Sequence, residues 1–176
     1  NEEEYAASAT CGQCVEITHA ENGKQIQAQV TDRCPYEEPN LQWCFPGSHH
    51  LDLSIPAFEA LEDPERGVFP INWRFVPCGE TGNVTFQRHP DSNEYWFALR
   101  IRDHQHAIVD VEVQDGGSFR SLVREEWNYW TTEEVLGDGP FTVRVTDAYG
   151  NQLVENNLQL PPGQEVTGSQ QFPVCN

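Results

Sequence analysis

At 176 residues the chain is long enough for one large domain or two small ones, and a formal charge of −18, with Lys24 the only lysine, excludes the basic patches that nucleic acid or an anionic membrane would reward. No stretch approaches the ~18 consecutive apolar residues of a membrane span, and the mean hydropathy is −0.61. So much Asp and Glu reads as a solvated surface suited to salty surroundings, where charges more than about 8 Å apart are screened from one another.

The chain opens with Asn1, Glu2, Glu3 and Glu4, not with a basic and then apolar leader, so export is argued from the cysteines. Cys11, Cys14, Cys34, Cys44, Cys78 and Cys175 form an even set scattered over loops, with no second C-x-x-C to complete a zinc site. Disulfides in an oxidising, extracellular compartment follow. Cys11-Gly-Gln-Cys14 runs into the strand Val15-Glu-Ile-Thr18 and not into a helix, which argues against thioredoxin-like chemistry.

Alternation of apolar and polar residues predicts strands over 14–18, 24–32 and 71–76. Between them lies one helix, with Ser54 at its N-cap, Pro56 in its first turn and Ala57, Phe58, Ala60 and Leu61 on its apolar face. Cys78-Gly-Glu-Thr-Gly82 is a short connector, which places the domain boundary between residues 1–79 and 82–176. Beyond it, strands are expected over 83–87, 95–102, 107–114, 141–146 and 153–160, with turns at Asp115-Gly-Gly-Ser118 and Tyr149-Gly-Asn151. Short strands at this spacing suggest an antiparallel, immunoglobulin-like β-sandwich.

Two acidic turns are candidates for a site in the first domain: Val30-Thr31-Asp32, and His49-His50-Leu51-Asp52-Leu53-Ser54. The flanking leucines face inward, so Asp52 points away from the core; the competing reading is that Asp52 or Ser54 only caps the helix. In the second domain, Phe97, Leu99 and Ile101 form an inward face that leaves Trp96, Ala98, Arg100 and Arg102 on the wet side. Tyr95 falls on the inward side by strict alternation and needs a bulge or a strand start to reach the surface. His49-His50 beside Asp52, and His104-x-His106, offer a metal alternative, set against ordinary surface histidines.

Thr31-Asp32, the His50-Leu-Asp-Leu-Ser54 box and Asn72-Trp-Arg-Phe-Val-Pro77 resemble the double-psi β-barrel of expansins. Thr81-Gly-Asn83, Tyr95-Trp96, Arg102-Asp-His104, Trp127-Asn-Tyr129, Val145-Thr-Asp147 with Gly150, and Gln171-Phe-Pro173 resemble the cellulose-binding sandwich of bacterial expansins. The resemblance implies a six-stranded barrel, here without its first strand, followed by a carbohydrate-binding sandwich. It implies a monomeric, secreted, non-hydrolytic protein that loosens plant cell walls by binding cellulose and other β-1,4-glucans, with no cofactor. Asp52 falls on the carboxylate required for loosening, Asp32 and Thr31 on sugar-binding positions, and Trp96, Trp127 and Tyr95 on the cellulose-binding rings.

The segment between Cys34 and Cys44 departs from the cysteine-free bacterial members, and Cys34 replaces a groove tyrosine that Tyr36 or Trp43 would supply instead. We expect Cys34 to pair with Cys44 and Cys14 with Cys78, leaving Cys11 with Cys175; the sequence alone leaves many other pairings open. The rival readings are an endoglucanase-like or lytic transglycosylase-like barrel enzyme, and a wall protein that binds carbohydrate without loosening anything.

Overall fold

The computed structural model describes residues 2–134 and 136–174. A single turn, α1 (Glu2–Tyr5), leads to β1 (Cys14–His19), which is the centre of a three-stranded antiparallel sheet. β2 (Gln25–Gln29) pairs with one edge of β1, and after the helix α2 (Ile55–Leu61) the chain returns as β3 (Ile71–Val76) along the other. The alternation read from the sequence sets the register: Val15 and Ile17 are buried with Leu61 of α2. Ser54 stands at the helix N-cap without a side-chain cap bond, and Ala60, expected on the buried face, is exposed. Residues 30–35 and 48–54, which carry both acidic turns, are irregular. Ile26, Ala28, Val30 and Trp73 are only half-buried, so the inner face of this sheet opens onto a cavity.

The second part of the chain forms two sheets. One is ordered β12-β4-β5-β9-β8, from β4 (Thr85–Arg88), β5 (Phe97–Arg102), β8 (Val123–Arg124), β9 (Trp130–Thr132) and β12 (Glu165–Thr167). The other is ordered β11-β10-β6-β7, from β6 (Ile108–Asp115), β7 (Ser118–Ser121), β10 (Phe141–Asp147) and β11 (Gln152–Leu158). Phe86, Phe97, Leu99 and Ile101 of the first sheet share one core with Val111, Val113, Val143 and Val145 of the second. Burying each such side chain contributes roughly 1.5–3 kcal/mol before entropy is counted. Gly116 and Gly117, at φ 55° and 91°, make the tight β6–β7 turn in a conformation other residues adopt only with strain. Strand β5 starts two residues later than the alternation suggests, and Ala98, expected on the wet side, is buried under residues 89–92. Ser92 holds that cover: its Oγ accepts from Ala98 N at 3.0 Å, and His89 N donates to Ala98 O at 3.0 Å.

Barrel and sandwich meet through several bonds. Cys78 N donates to Gln105 O at 3.1 Å and Gly79 N to Gln105 Oε1 at 2.9 Å, while Gln105 Nε2 donates to Glu80 O at 2.6 Å. Tyr5 Oη donates to Glu126 O at 3.2 Å and Ser8 Oγ to Glu125 O at 2.7 Å. Cys14 is bonded to Cys78 across 64 residues, and Cys34 to Cys44 across 10. By loop closure these crosslinks contribute about 4 and about 3 kcal/mol. Cys11 has no disulfide partner among the described residues, and Cys175, its expected partner, lies outside them.

His104 and His106, which the sequence offers as a metal alternative set against ordinary surface histidines, are buried at this joint. A Cβ built on Gly12, at φ 80°, would lie 2.7 Å from His104 Nε2, so only glycine lets the backbone come this close to the ring. Burial holds the His104 imidazole down at about 4, and its Nδ1 meets no hydrogen-bond partner among the described residues. The unfolded chain therefore takes up a proton near pH 6.5 that the fold refuses until about pH 4. Stability is full above about pH 6.5 and declines as pH falls from there through about 4, by a few kcal/mol. Melting curves between pH 7.5 and 4 should show this decline in the native chain and a shallower one in His104→Gln.

Candidate functional site

Two surfaces carry the residues singled out in the sequence. In the barrel, Thr31, Asp32, His50, Asp52, Trp73 and Phe75 line one cavity of about 680 Å³, so the fold brings both acidic turns to a common space. Leu51 and Leu53 pack against the core, and Asp52 between them is 66 % exposed. Its carboxylate is engaged by His50, with Nε2 3.0 Å from Oδ1, and does not cap the helix. Asp32 Oδ1 accepts from Arg33 N at 2.8 Å.

The Cys34–Cys44 disulfide lies beside this carboxylate: a carboxylate oxygen of Asp52 and the two sulfurs are mutually within 4.8 Å. Because the sulfurs are bonded to each other, they offer no thiolate to a metal. The pinned loop presents Trp43, 40 % exposed, whose indole stacks on His50 with ring centroids 5.8 Å apart and planes at 25°. Trp43, His50 and Asp52 thus form a continuous edge of ring, imidazole and carboxylate; Tyr36 is exposed on the same loop, and neither Trp43 nor Tyr36 is among the residues lining the cavity itself. The sequence places His50 in the expansin-like His50-Leu-Asp-Leu-Ser54 box and in a metal alternative, not as a partner of Asp52; its i, i+2 spacing from Asp52 was the signal for a partner on the same side of an extended segment. Of the other metal candidates, His49 Nδ1 meets Glu4, and His106 Nε2 lies 3.1 Å from Pro173 O. Cys14 is committed to Cys78, and burial pushes the Cys11 thiol up, opposite to the depression a redox C-x-x-C uses.

On the sandwich, Trp96 and Trp127 lie in one stack, with centroids 6.4 Å apart and planes at 25°. Trp127 is 47 % exposed and Trp96 half-buried. Tyr129 packs beneath Trp127 at 4.6 Å and is itself buried, as is Trp130 in the core. Tyr95 reaches the surface, 69 % exposed, because it precedes the strand: Asn93 and Trp96 form a bridge, and Tyr95 N donates to Asn93 Oδ1 at 2.8 Å. His89 meets the rings of Trp96, Trp127 and Tyr129 at 5.3, 5.6 and 5.1 Å, a role that strand periodicity could not disclose because the residue lies just beyond β4.

Residues 2–73 match a family model described as lytic transglycolase, and residues 84–158 match the expansin C-terminal domain. The crystal structure of an expansin from Clavibacter michiganensis aligns with a TM-score of 0.85 and 32 % identity, over 98 % of this chain and 81 % of that one. The chain belongs to the expansin family. Its architecture is the mainly β one of that family, a double-psi β-barrel domain followed by a β-sandwich. Among curated expansins, expansin-like protein 1 of Dictyostelium discoideum is 31 % identical over 97 % of this chain and 58 % of its own length. Expansin-YoaJ of Bacillus subtilis is 30 % identical over 70 % of this chain and 55 % of its own. This expansin spans little more than half the length of those two relatives. A point variant of the Clavibacter expansin, solved in complex with cellohexaose, aligns with the same TM-score of 0.85.

Replacing Cys34 and Cys44 together by serine removes the pin that holds Trp43 on His50. Denaturant unfolding should show a loss of up to about 3 kcal/mol, and quenching of tryptophan emission by iodide should rise as Trp43 is released.

Proposed function

We propose that this expansin loosens plant cell walls without cutting glycosidic bonds, acting as a monomer outside the cell on cellulose and other β-1,4-glucans. The reading takes residues 1–79 as the barrel domain and 82–176 as the sandwich. The observation that carries it is the Trp96–Trp127 stack, with Trp127 exposed and Trp96 half-buried, on a protein of net charge −18. Flat rings grip the C–H faces of an uncharged sugar ribbon without help from charge, and each such contact is worth about 0.5–3 kcal/mol. Tyr95, on the turn beside Trp96, extends the platform. The barrel cavity would hold a neighbouring chain, with Asp52 and Asp32 accepting hydrogen bonds from sugar hydroxyls, Thr31 beside them and Trp43 as the local ring. Loosening then comes from binding energy that competes with glucan–glucan contacts.

A lytic reading draws on the family model that matches the barrel and on the presence of two carboxylates in one cavity. Inverting cleavage needs an acid and a base roughly 6.5–9.5 Å apart with an activated water between them. Such chemistry also uses exclusion of bulk water, which is not built around an Asp52 that is 66 % exposed.

Trp96→Ala and Trp127→Ala should each weaken binding to microcrystalline cellulose about five- to tenfold, or about 1–1.4 kcal/mol, with little change in melting temperature. Asp52→Asn should bind cellulose normally and lose most of the creep activity measured on heat-killed walls in an extensometer. Release of reducing ends from soluble glucan or of muropeptides from peptidoglycan, abolished in Asp52→Asn, would replace this reading with the lytic one. The negative field also predicts little retention on de-esterified pectin at low salt; strong retention there would contradict it.

A further inference from the structure

His89 stands where the three rings of the sandwich surface converge. Its imidazole meets Trp96, Trp127 and Tyr129 edge-on, with planes at 80°, 75° and 79°. The ring is wedged between side chains that sequence separates by about 30 residues: Trp96 before β5, and Trp127 and Tyr129 before β9. Its backbone is fixed on both sides. His89 N donates to Ala98 O at 3.0 Å, and the buried Arg88 beside it donates from Nη1 to Leu160 O at 3.0 Å with its guanidinium over Phe97 and Phe141. The side chain is fixed as well, because Nδ1 accepts from Asp91 N at 3.2 Å. That bond can be made only by an unprotonated Nδ1, as in the tautomer that carries its proton on Nε2.

We infer that His89 is the positioning residue of the glucan-binding platform: its neutral ring holds Trp96 and Trp127 in register, and protonation releases them. The inference rests on the reading of Trp96 and Trp127 as the sugar-stacking surface. Among the described residues, titratable and charged groups that meet the ring are Asp91 on its own turn and Tyr129 before β9, and one layer out stands Arg100 of β5, whose guanidinium lies 5.2 Å over the Tyr129 ring. A proton on Nδ1 removes the acceptor for Asp91 N and turns that edge of the ring toward the Asp91 carboxylate, 3.9 Å away and exposed. The attraction between an imidazolium and indole faces opposes this movement but is weak where solvent reaches the rings. Loss of the fixed hydrogen bond, together with the pull of the carboxylate, therefore decides the direction. A stacking surface binds best when its rings are already aligned, so misalignment lowers affinity without removing a contact residue.

The test uses binding isotherms of the whole chain on microcrystalline cellulose and on cellohexaose at pH 8 and pH 5, with near-ultraviolet circular dichroism of the coupled indoles. Native protein should bind roughly three- to tenfold more weakly at pH 5, with a matching change in the indole band. His89→Phe keeps a ring and lacks the titrating nitrogen, so its affinity and its spectrum should not change between the two pH values. His89→Asn keeps an acceptor for Asp91 N without the wedge and should bind weakly at both. Native affinity and indole band that are the same at pH 8 and 5, or a His89→Phe profile as steep as the native one, overturns the inference while Trp96→Ala still binds more weakly than native protein. If Trp96→Ala and Trp127→Ala bind like native protein, the platform itself is wrong, and the inference falls with it.

Discussion

Phe97, Leu99 and Ile101 leave β5 on one side and join Val111, Val113, Val143 and Val145 in the core between the two sheets, and the direction of the remaining side chains follows from that packing. A strand whose inward positions are committed cannot slip by one residue without turning its whole apolar set into water. The turn before β5 is therefore fixed in register, and Trp96 with it. Trp127 arrives from the other end of the same sheet, because β9 pairs with β5 through Leu99 and Trp130. The stack is thus a by-product of core registry, with two rings from distant parts of the chain delivered to one spot by a sheet whose other face is dry.

The barrel groove is organised differently. Its acidic turns are irregular backbone, so no ladder sets the direction of Asp52. What does is a set of local restraints: Leu51 and Leu53 packed on either side, His50 holding the carboxylate, and the Cys34–Cys44 bond beside it carrying Trp43 onto the imidazole. Preorganisation of a polar group in irregular backbone needs such cross-bracing, which β-pairing supplies elsewhere. Both surfaces join a histidine to an indole, but in the groove the imidazole lies flat on its neighbour and on the sandwich it stands on edge.

Where burial alternates cleanly the sequence was readable. Residues 71–76 and 141–146 lie in strands within a residue of the expected bounds, and the inward set of β5 was named correctly apart from Ala98. Ala98 was misassigned because period-two reasoning sees only one sheet, and the cover over residue 98 comes from a turn outside it. Strands β7, β8, β9 and β12 were missed because they have two to four residues each, too few to display a period. Tyr95 was legible only on the condition of a strand start, and β5 does begin after it, at Phe97. The pairings of Cys14 with Cys78 and Cys34 with Cys44 were expected from what each would tie down, the barrel's last strand and the 34–44 loop, since no rule of spacing selects them. The partners His50 and His89 escaped because each acts through space, on a ring from another segment.

The bond between Cys14 and Cys78 places a covalent shortcut beside the joint, for Cys78 also donates its backbone N–H to Gln105 of the sandwich. Load placed on the sandwich at Gln105 therefore reaches β1, the middle strand of the barrel's sheet, through one hydrogen bond and one crosslink that share the residue Cys78.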